Sequence, residues 1–134
     1  MTASPTAAAP SAGLVYIVED DAAVRSALQL LARSCGWETR AFARGEDFLQ
    51  TPPANGPACL VLDLNMPGLD GESVLRLLKA RGSRLPVLVV TGDRQGPRLE
   101  RVRQLGARAV LLKPFGDQAF ELAVQNCLNP PRSP

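Results

Sequence analysis

Acidic residues in this 134-residue chain stand directly after two short apolar runs, where they could bind a cation or receive a transferred group. The acidic triplet 19–21 follows the apolar run 14–18, and Asp63 follows the run 59–62. Two unit charges about 4 Å apart repel by roughly 4 kcal/mol at an effective dielectric of ~20. Carboxylates gathered at one point therefore hold a proton or bind a hard cation. The surrounding ligands are all oxygen, and Mg²⁺ is the ion that such a set favours.

Two more polar residues follow apolar runs farther along the chain. Thr91 supplies a hydroxyl donor and Lys113 a fixed positive charge. Singly, each feature has a plain structural reading, since an Asp pair caps helices, Thr91 fits a turn and Lys113 fits a solvated end. Together, at one edge of a sheet, they indicate a site for an anion bridged to a metal, and a phosphoryl group fits that description.

The elements that must position these residues alternate between two periods. Short continuous apolar runs predict buried strands, and apolar residues at helical spacing predict the segments between them. The predicted strands are 14–18, 37–42, 59–62, 87–90 and 109–112, and the predicted helices are 22–35, 43–49, 72–80, 97–105 and 116–128. Asp21 is a candidate N-cap of the first helix, and Gly36 a stop.

This alternation predicts an α/β fold with a doubly wound, five-stranded parallel sheet and right-handed crossovers. In the flavodoxin-like strand order 2-1-3-4-5, the order reverses between the first and third strands. Ligands bind at the carboxyl edge at such a reversal. The two strands that end in aspartate are the two that flank it.

The composition of the chain excludes several classes of function. The chain has 15 Lys and Arg against 13 Asp and Glu, a net charge of +2 that gives no global attraction to nucleic acid or membrane. Without histidine it cannot perform Ser-His-Asp catalysis or carry a phosphohistidine. Its three cysteines lack metal-ligand spacing, and we expect small buried side chains in a reducing compartment.

No segment has the pattern of a signal peptide or membrane span, so we predict a cytoplasmic protein that does not bind membranes. We expect one domain over 14–128, a disordered tail over 1–13, and a tail or the start of a linker over 129–134.

The sequence resembles the receiver domain of two-component response regulators over about residues 14–128. The strongest part of the resemblance is the stretch from Asp63 to Gly71. The sequence of residues 14–49 looks most like that of receivers found with helix-turn-helix output domains. The motifs that carry the match are Val18-Glu19-Asp20-Asp21, Asp63-Leu64-Asn65-Met66-Pro67-Gly68-Leu69-Asp70-Gly71, Val90-Thr91-Gly92, Gly106-Ala107 and Lys113-Pro114-Phe115.

The resemblance implies a role for each matching residue. Asp63 would accept a phosphoryl group from the phosphohistidine of a sensor histidine kinase. Thr91 and Lys113 would contact that group, and the Lys113–Pro114 peptide bond would be cis. The ligands implied for Mg²⁺ are Asp20, Asp21, Asp63 and the backbone carbonyl of Asn65. Such a protein is a signalling switch that promotes its own phosphorylation and dephosphorylation rather than an enzyme with a separate substrate.

One position departs from the family. Receivers usually carry an aromatic three residues before the lysine, and here that residue is Val110, which has no ring to swing. We therefore expect the switch to be a reordering of segment 92–105, with Val110 packing passively.

The arginines of the fourth helix have two readings. Arg98, Arg101 and Arg103, with Arg94 nearby, form either a solvated face or part of an output surface made by helix 4, strand 5 and helix 5. A second copy of the chain or an output protein would dock there. This patch lacks a nucleic-acid recognition motif, and we expect no direct nucleic-acid binding by it.

Three other functions fit the sequence less well. A receiver-fold binding or dimerisation module that works without phosphorylation would not need the full set of site residues. A flavin or nucleotide binder would carry a phosphate-binding loop after the first strand, where this chain is acidic. A phosphatase with an aspartate nucleophile would place that residue after the first strand, with a second acid two residues later.

Overall fold

The computed structural model describes residues 13–92 and 96–129. The predicted tails therefore lie outside the described residues except for Gly13 and Asn129, and Arg94 also lies outside them. The strands are β1 (Leu14–Val18), β2 (Glu38–Phe42), β3 (Ala58–Asp63), β4 (Val87–Thr91) and β5 (Ala109–Leu112). The helices are α1 (Ala22–Ser34), α2 (Gly45–Leu49), α3 (Gly71–Ala80), α4 (Gly96–Gln104) and α5 (Asp117–Leu128).

The five strands of the described residues form one parallel sheet in the order β2-β1-β3-β4-β5, which confirms the predicted fold. In register, Val18 of β1 stands beside Leu62 of β3, so these two strands end side by side. Every residue of β3 and β4 is buried, whereas β2 and β5 at the sheet edges are half-buried or exposed. The sequence reflects this difference, because Glu38–Phe42 is the most polar of the strands.

Helices cover both faces of the sheet, and alternate strand residues feed two separate cores. On one face, Leu60 and Leu62 pack with Val74 of α3 and Val102 of α4. On the other face, side chains of β1, β3 and β4 pack against α1 and α5, through residues that include Leu28 and Phe120.

The cysteines confirm the sequence-based expectation in part. Cys59 and Cys127 are buried in the second core and Cys35 is half-buried; all three are free thiols. Burial raises the pKa of Cys59 to about 12, so its thiol is inert at neutral pH.

Local signals set the helix ends close to their predicted positions. The Asp21 side chain accepts hydrogen bonds from the backbone of α1, which confirms it as the N-cap. Gly36 has a φ of 89°, a conformation that ends the helix without the strain a side chain would add. Helix α2 begins at Gly45, two residues later than predicted, because Arg44 is still extended with a φ of −137°.

Candidate functional site

The carboxyl ends of four strands meet at one edge of the sheet and bring polar side chains into an otherwise apolar core. Asp63 is the last residue of β3 and is 4% exposed, and Thr91 is the last residue of β4 and is fully buried. Glu19 follows β1 and is 2% exposed. Lys113 follows β5, and its backbone N–H donates to the Thr91 carbonyl over 2.8 Å. Four strand ends thus bring these residues to one edge of the sheet.

Three acids of this site form a compact group of oxygen donors. Glu19, Asp20 and Asp63 each offer a carboxylate oxygen, and these oxygens all lie within 4.8 Å of one another. Asp20 is exposed while the other two are buried, so the group opens to solvent on one side. An all-oxygen set that includes carboxylates suits a hard divalent cation.

Asp21 is placed differently from the metal-binding role that the resemblance implied for it. Its Oδ1 accepts hydrogen bonds from the backbone N–H groups of Ala23 and Val24, over 2.9 and 3.0 Å. Its own N–H donates to Glu19 Oε2 over 3.2 Å. Asp21 therefore caps α1 and orients Glu19, and Glu19 is the acid that joins Asp20 and Asp63.

Lys113 supplies positive charge to the buried acids. Its Nζ lies 3.3 Å from Glu19 Oε1 and 3.6 Å from Asp63 Oδ1. The Lys113–Pro114 peptide bond is cis, as the resemblance implied. One ammonium group thus bridges two carboxylates, while the third, on Asp20, lies toward solvent.

The charge at the centre of the site is only partly balanced. Burial raises the pKa of Glu19, and the nearby Asp63 carboxylate raises it further. The N–H of Asp21 and the ammonium of Lys113 act in the opposite direction. Because burial is the largest of these effects, the site favours added positive charge or a proton.

The loop after β3 is bound tightly to the strand end. The N–H of Asn65 donates to Asp63 Oδ1 over 3.2 Å, and the N–H of Leu64 donates to the Val90 carbonyl over 3.2 Å. Gly71 begins α3, and its N–H donates to the Leu64 carbonyl over 3.1 Å. The loop therefore leaves the end of β3 and returns to the Leu64 backbone at Gly71.

Position 110 lies within the sheet rather than over the site. Val110 is half-buried and packs against the core that α3 and α4 cover. This contact agrees with passive packing by Val110. The predicted switch segment 92–105 is described at Gly92 and over 96–105, and its residues 93–95 lie outside the described residues.

Two arginines of α4, Arg98 and Arg101, contact α3, and Arg98 also reaches the loop after β3, which neither reading of the sequence predicted. Arg98 is 23% exposed, and its Nη1 donates to Asn65 Oδ1 over 2.6 Å. Arg98 and Arg101 both pair with the Glu72 carboxylate of α3. The hydrogen bond from Arg101 and, to a smaller extent, the charge and hydrogen bond of Arg98 lower the pKa of Glu72. Sequence reasoning missed Glu72, whose two partners on α4 stand 26 and 29 residues away along the chain.

Comparison with known proteins gives the family. The model of the response regulator receiver domain matches residues 15–125. The transcriptional regulatory protein FixJ of Bradyrhizobium diazoefficiens is 35% identical over 116 residues, which cover 87% of this chain and 57% of FixJ. The DNA-binding transcriptional regulator NtrC of Escherichia coli is 32% identical over 82% of this chain and 24% of its own length.

Solved structures agree with that assignment. Full-length FixJ from B. japonicum superimposes with a TM-score of 0.81 at 34% identity, covering 90% of this chain and 61% of that one. The structure titled FixJ-N gives a TM-score of 0.80 at 28% identity and is covered over 97% of its length.

The chain belongs to the response regulator receiver family, the phosphorylation-dependent signalling switches of two-component systems. It is similar to the receivers of transcriptional regulators, and it spans about half the length of the FixJ proteins it matches. None of the described helices is long and apolar enough to span a membrane.

Proposed function

We propose that Asp63 is the phosphoacceptor and that a sensor histidine kinase is the donor. In this reaction a carboxylate oxygen of Asp63 attacks the phosphorus of a phosphohistidine on the kinase. The phosphorus–nitrogen bond breaks, the electron pair returns to the imidazole, and an acyl phosphate forms on Asp63. The observation that carries this proposal is the buried Asp63 carboxylate held between two other acids and the Lys113 ammonium.

The residues at the site fit a magnesium ion. We assign its ligands to the carboxylates of Glu19, Asp20 and Asp63, with the backbone carbonyl of Asn65 as a fourth. The donor oxygens within 4.8 Å of one another and the shortage of positive charge around Glu19 support this assignment. When bound, Mg²⁺ would offset the negative charge of the carboxylates and of the arriving phosphoryl oxygens.

The chain's own residues supply the remaining charge and the positioning. Lys113, 3.6 Å from Asp63 Oδ1, is placed to pair with an oxygen of the new phosphoryl group. The Thr91 hydroxyl, at the end of the neighbouring strand, would donate to another. Phosphoryl transfer needs mostly positioning and charge stabilisation, which these fixed strand ends provide. The same site would therefore promote both phosphorylation and dephosphorylation of its own aspartate.

The placement of Val110 supports a proposal for the output step. With Val110 packed into the core, we propose that phosphorylation is transmitted by reordering of segment 92–105, and that helix α4, strand β5 and helix α5 form the face that a second copy or an output protein recognises. The half-buried residues of β5 at the sheet edge support an accessible face there. NMR relaxation dispersion that found no change at 92–105 on phosphorylation would contradict this route.

The experiment that tests the proposal is an intact-mass spectrum after incubation with acetyl phosphate or phosphoramidate. We expect the mass of one phosphoryl group to be added when Mg²⁺ is present, and none to be added to Asp63→Asn. A folded protein that binds Mg²⁺ and gains no mass would instead favour a receiver-fold module that works without phosphorylation. The same experiment on a 14–128 fragment tests the proposal that these residues form the complete domain.

A further inference from the structure

Arg98 joins helix α4 to the loop that follows the phosphoacceptor strand. Its Nη1 donates to Asn65 Oδ1 over 2.6 Å, and its Nη2 donates to the Leu64 carbonyl over 3.3 Å. Its Nε donates to Glu72 Oε1 over 3.2 Å. One guanidinium group therefore links α4, the loop and α3.

This link lies two hydrogen bonds from Asp63. Asn65 accepts from Arg98 through its side chain, and it donates through its backbone to Asp63 Oδ1 over 3.2 Å. A change in the position of Asn65 therefore changes the contact to the Asp63 carboxylate. Asn65 is otherwise an exposed residue in a loop, where a side chain costs conformational entropy to hold still.

Glu72 holds the Arg98 guanidinium in place. The Glu72 side chain is 14% exposed, and its carboxylate also pairs with Arg101 and with Arg76. A planar guanidinium loses less freedom when its donors are fixed in this way than a flexible ammonium would. The orientation of Arg98 is thus set by α3, and the orientation of Asn65 is set by Arg98.

We propose that Arg98 is a positioning residue for the phosphorylation site: it fixes the loop at Asn65 and makes the chemistry at Asp63 dependent on the position of helix α4. The rate effects rest on the function proposed above, whereas the positioning of Asn65 does not. Coupling between two sites is reciprocal, so a helix that shifts when Asp63 is modified must also alter the affinity of Asp63 for its ligands when the helix is changed. Arg98 provides that coupling in a chain that carries Val110 at the position of the family's usual aromatic residue.

Helix α4 supplies a matched control. Arg101 carries the same charge on the same helix and pairs with the same Glu72 carboxylate. Among the described residues its side-chain hydrogen bonds go to Glu72 alone. Arg98→Gln and Arg101→Gln therefore remove equal charge, and only the first removes the contact to Asn65.

The first readout does not depend on phosphorylation. Exchange of the Asn65 amide proton with solvent is measured by NMR in the unmodified protein. We expect it to be roughly tenfold faster in Arg98→Gln, since a hydrogen bond to a charged group is lost and the loop is released. Arg101→Gln should change it by less than about twofold, and Arg98→Lys should restore part of the protection.

The second readout is the rate of phosphorylation by acetyl phosphate. We expect Arg98→Gln to lower this rate several-fold, Asn65→Ala to lower it to a similar extent, and the double variant to fall no further, because both changes break one contact. Arg101→Gln should stay near the wild-type rate.

The two proposals fail in different ways. If wild type gains no phosphoryl group, the proposed function fails, while the amide exchange still decides the role of Arg98. If wild type is phosphorylated and the two arginine variants behave alike in both readouts, the positioning role of Arg98 is refuted. Additive effects of Arg98→Gln and Asn65→Ala would also refute it.

Discussion

Gly71 gives the sharpest stability prediction, because helix α3 begins in contact with the backbone of the phosphoacceptor strand. A Cβ added at Gly71 would lie 2.6 Å from the Asp63 carbonyl oxygen and 2.8 Å from the Leu64 Cα. The first distance is about 0.8 Å short of the 3.4 Å at which ordinary van der Waals contact begins. Both neighbours are backbone atoms, and hydrogen bonds from Leu64 to Val90 and from Gly71 to Leu64 hold them in place.

Gly71→Ala must therefore move the helix start or the strand end. Overpacking of this kind costs about 1–3 kcal/mol. With a typical urea dependence for a small domain, a loss of about 2 kcal/mol lowers the unfolding midpoint by roughly 1 M. The backbone that moves carries Asp63, so we also expect slower phosphorylation.

The assay is urea unfolding followed by circular dichroism, with Gly96→Ala as the matched control. Gly96 is the first residue of α4, and no atom lies within 4 Å of a Cβ placed there. Alanine at such a position is neutral or stabilises by up to about 1 kcal/mol. A Gly71→Ala protein within about 0.5 kcal/mol of wild type would refute the close packing of α3 on the strand end.

Three further predictions follow from the site and the cores. Asp20→Ala should weaken Mg²⁺ binding, measured by calorimetry, at least tenfold, whereas Asp21→Ala should change it by less than about threefold. Asp21→Ala should instead lower the free energy of unfolding by about 1 kcal/mol, the cost of a lost N-cap. The reverse pattern would exclude the proposed set of metal ligands. The pKa of Glu19 is raised by burial, so the folded protein binds the Glu19 proton more tightly than the unfolded chain does. Protonation of Glu19 therefore stabilises the fold fully below the ordinary pKa of 4.5, and this contribution is lost as the pH rises through the raised pKa. The free energy of unfolding of wild type minus that of Glu19→Gln should thus fall from pH 4 to pH 8 in urea titrations without metal, and a difference that rose with pH would contradict this. Cys59 and Cys127 should resist a thiol reagent until the protein unfolds, as measured by mass spectrometry of labelled peptides, since both are buried and burial raises their pKa; rapid labelling of either would be inconsistent with the second core.

Apolar runs in the sequence are enough to predict most of the fold. The strands 14–18 and 109–112 have the predicted bounds, because each is an unbroken apolar run with a polar or glycine-containing segment on either side. Helix α2 was less well predicted. Its start depends on the backbone of Arg44, for which side-chain periodicity gives no signal.

The candidate site was predicted in its strand ends and missed in its details. The sequence predicted Asp21 as a helix cap and the family resemblance implied it as a ligand, and its Oδ1 accepts two backbone N–H groups of α1. Glu19 stood beside it in the same acidic triplet, and which of three consecutive side chains turns toward Asp63 depends on where the strand ends and the helix begins. The link through Arg98 was not predicted, because it joins residues 26 to 34 positions apart, beyond the reach of any local pattern.

Whether the Asp63 carboxylate receives the phosphoryl group can be tested by reducing the acetyl phosphate-treated protein with borohydride. Borohydride converts an aspartyl phosphate to homoserine, which peptide mass spectrometry then locates. We predict homoserine at position 63, dependent on Mg²⁺, and unmodified aspartate at 20 and 21. Homoserine at another acidic residue, or intact aspartate at 63 in a protein that has gained the phosphoryl mass, would show that Asp63 is not the phosphoacceptor.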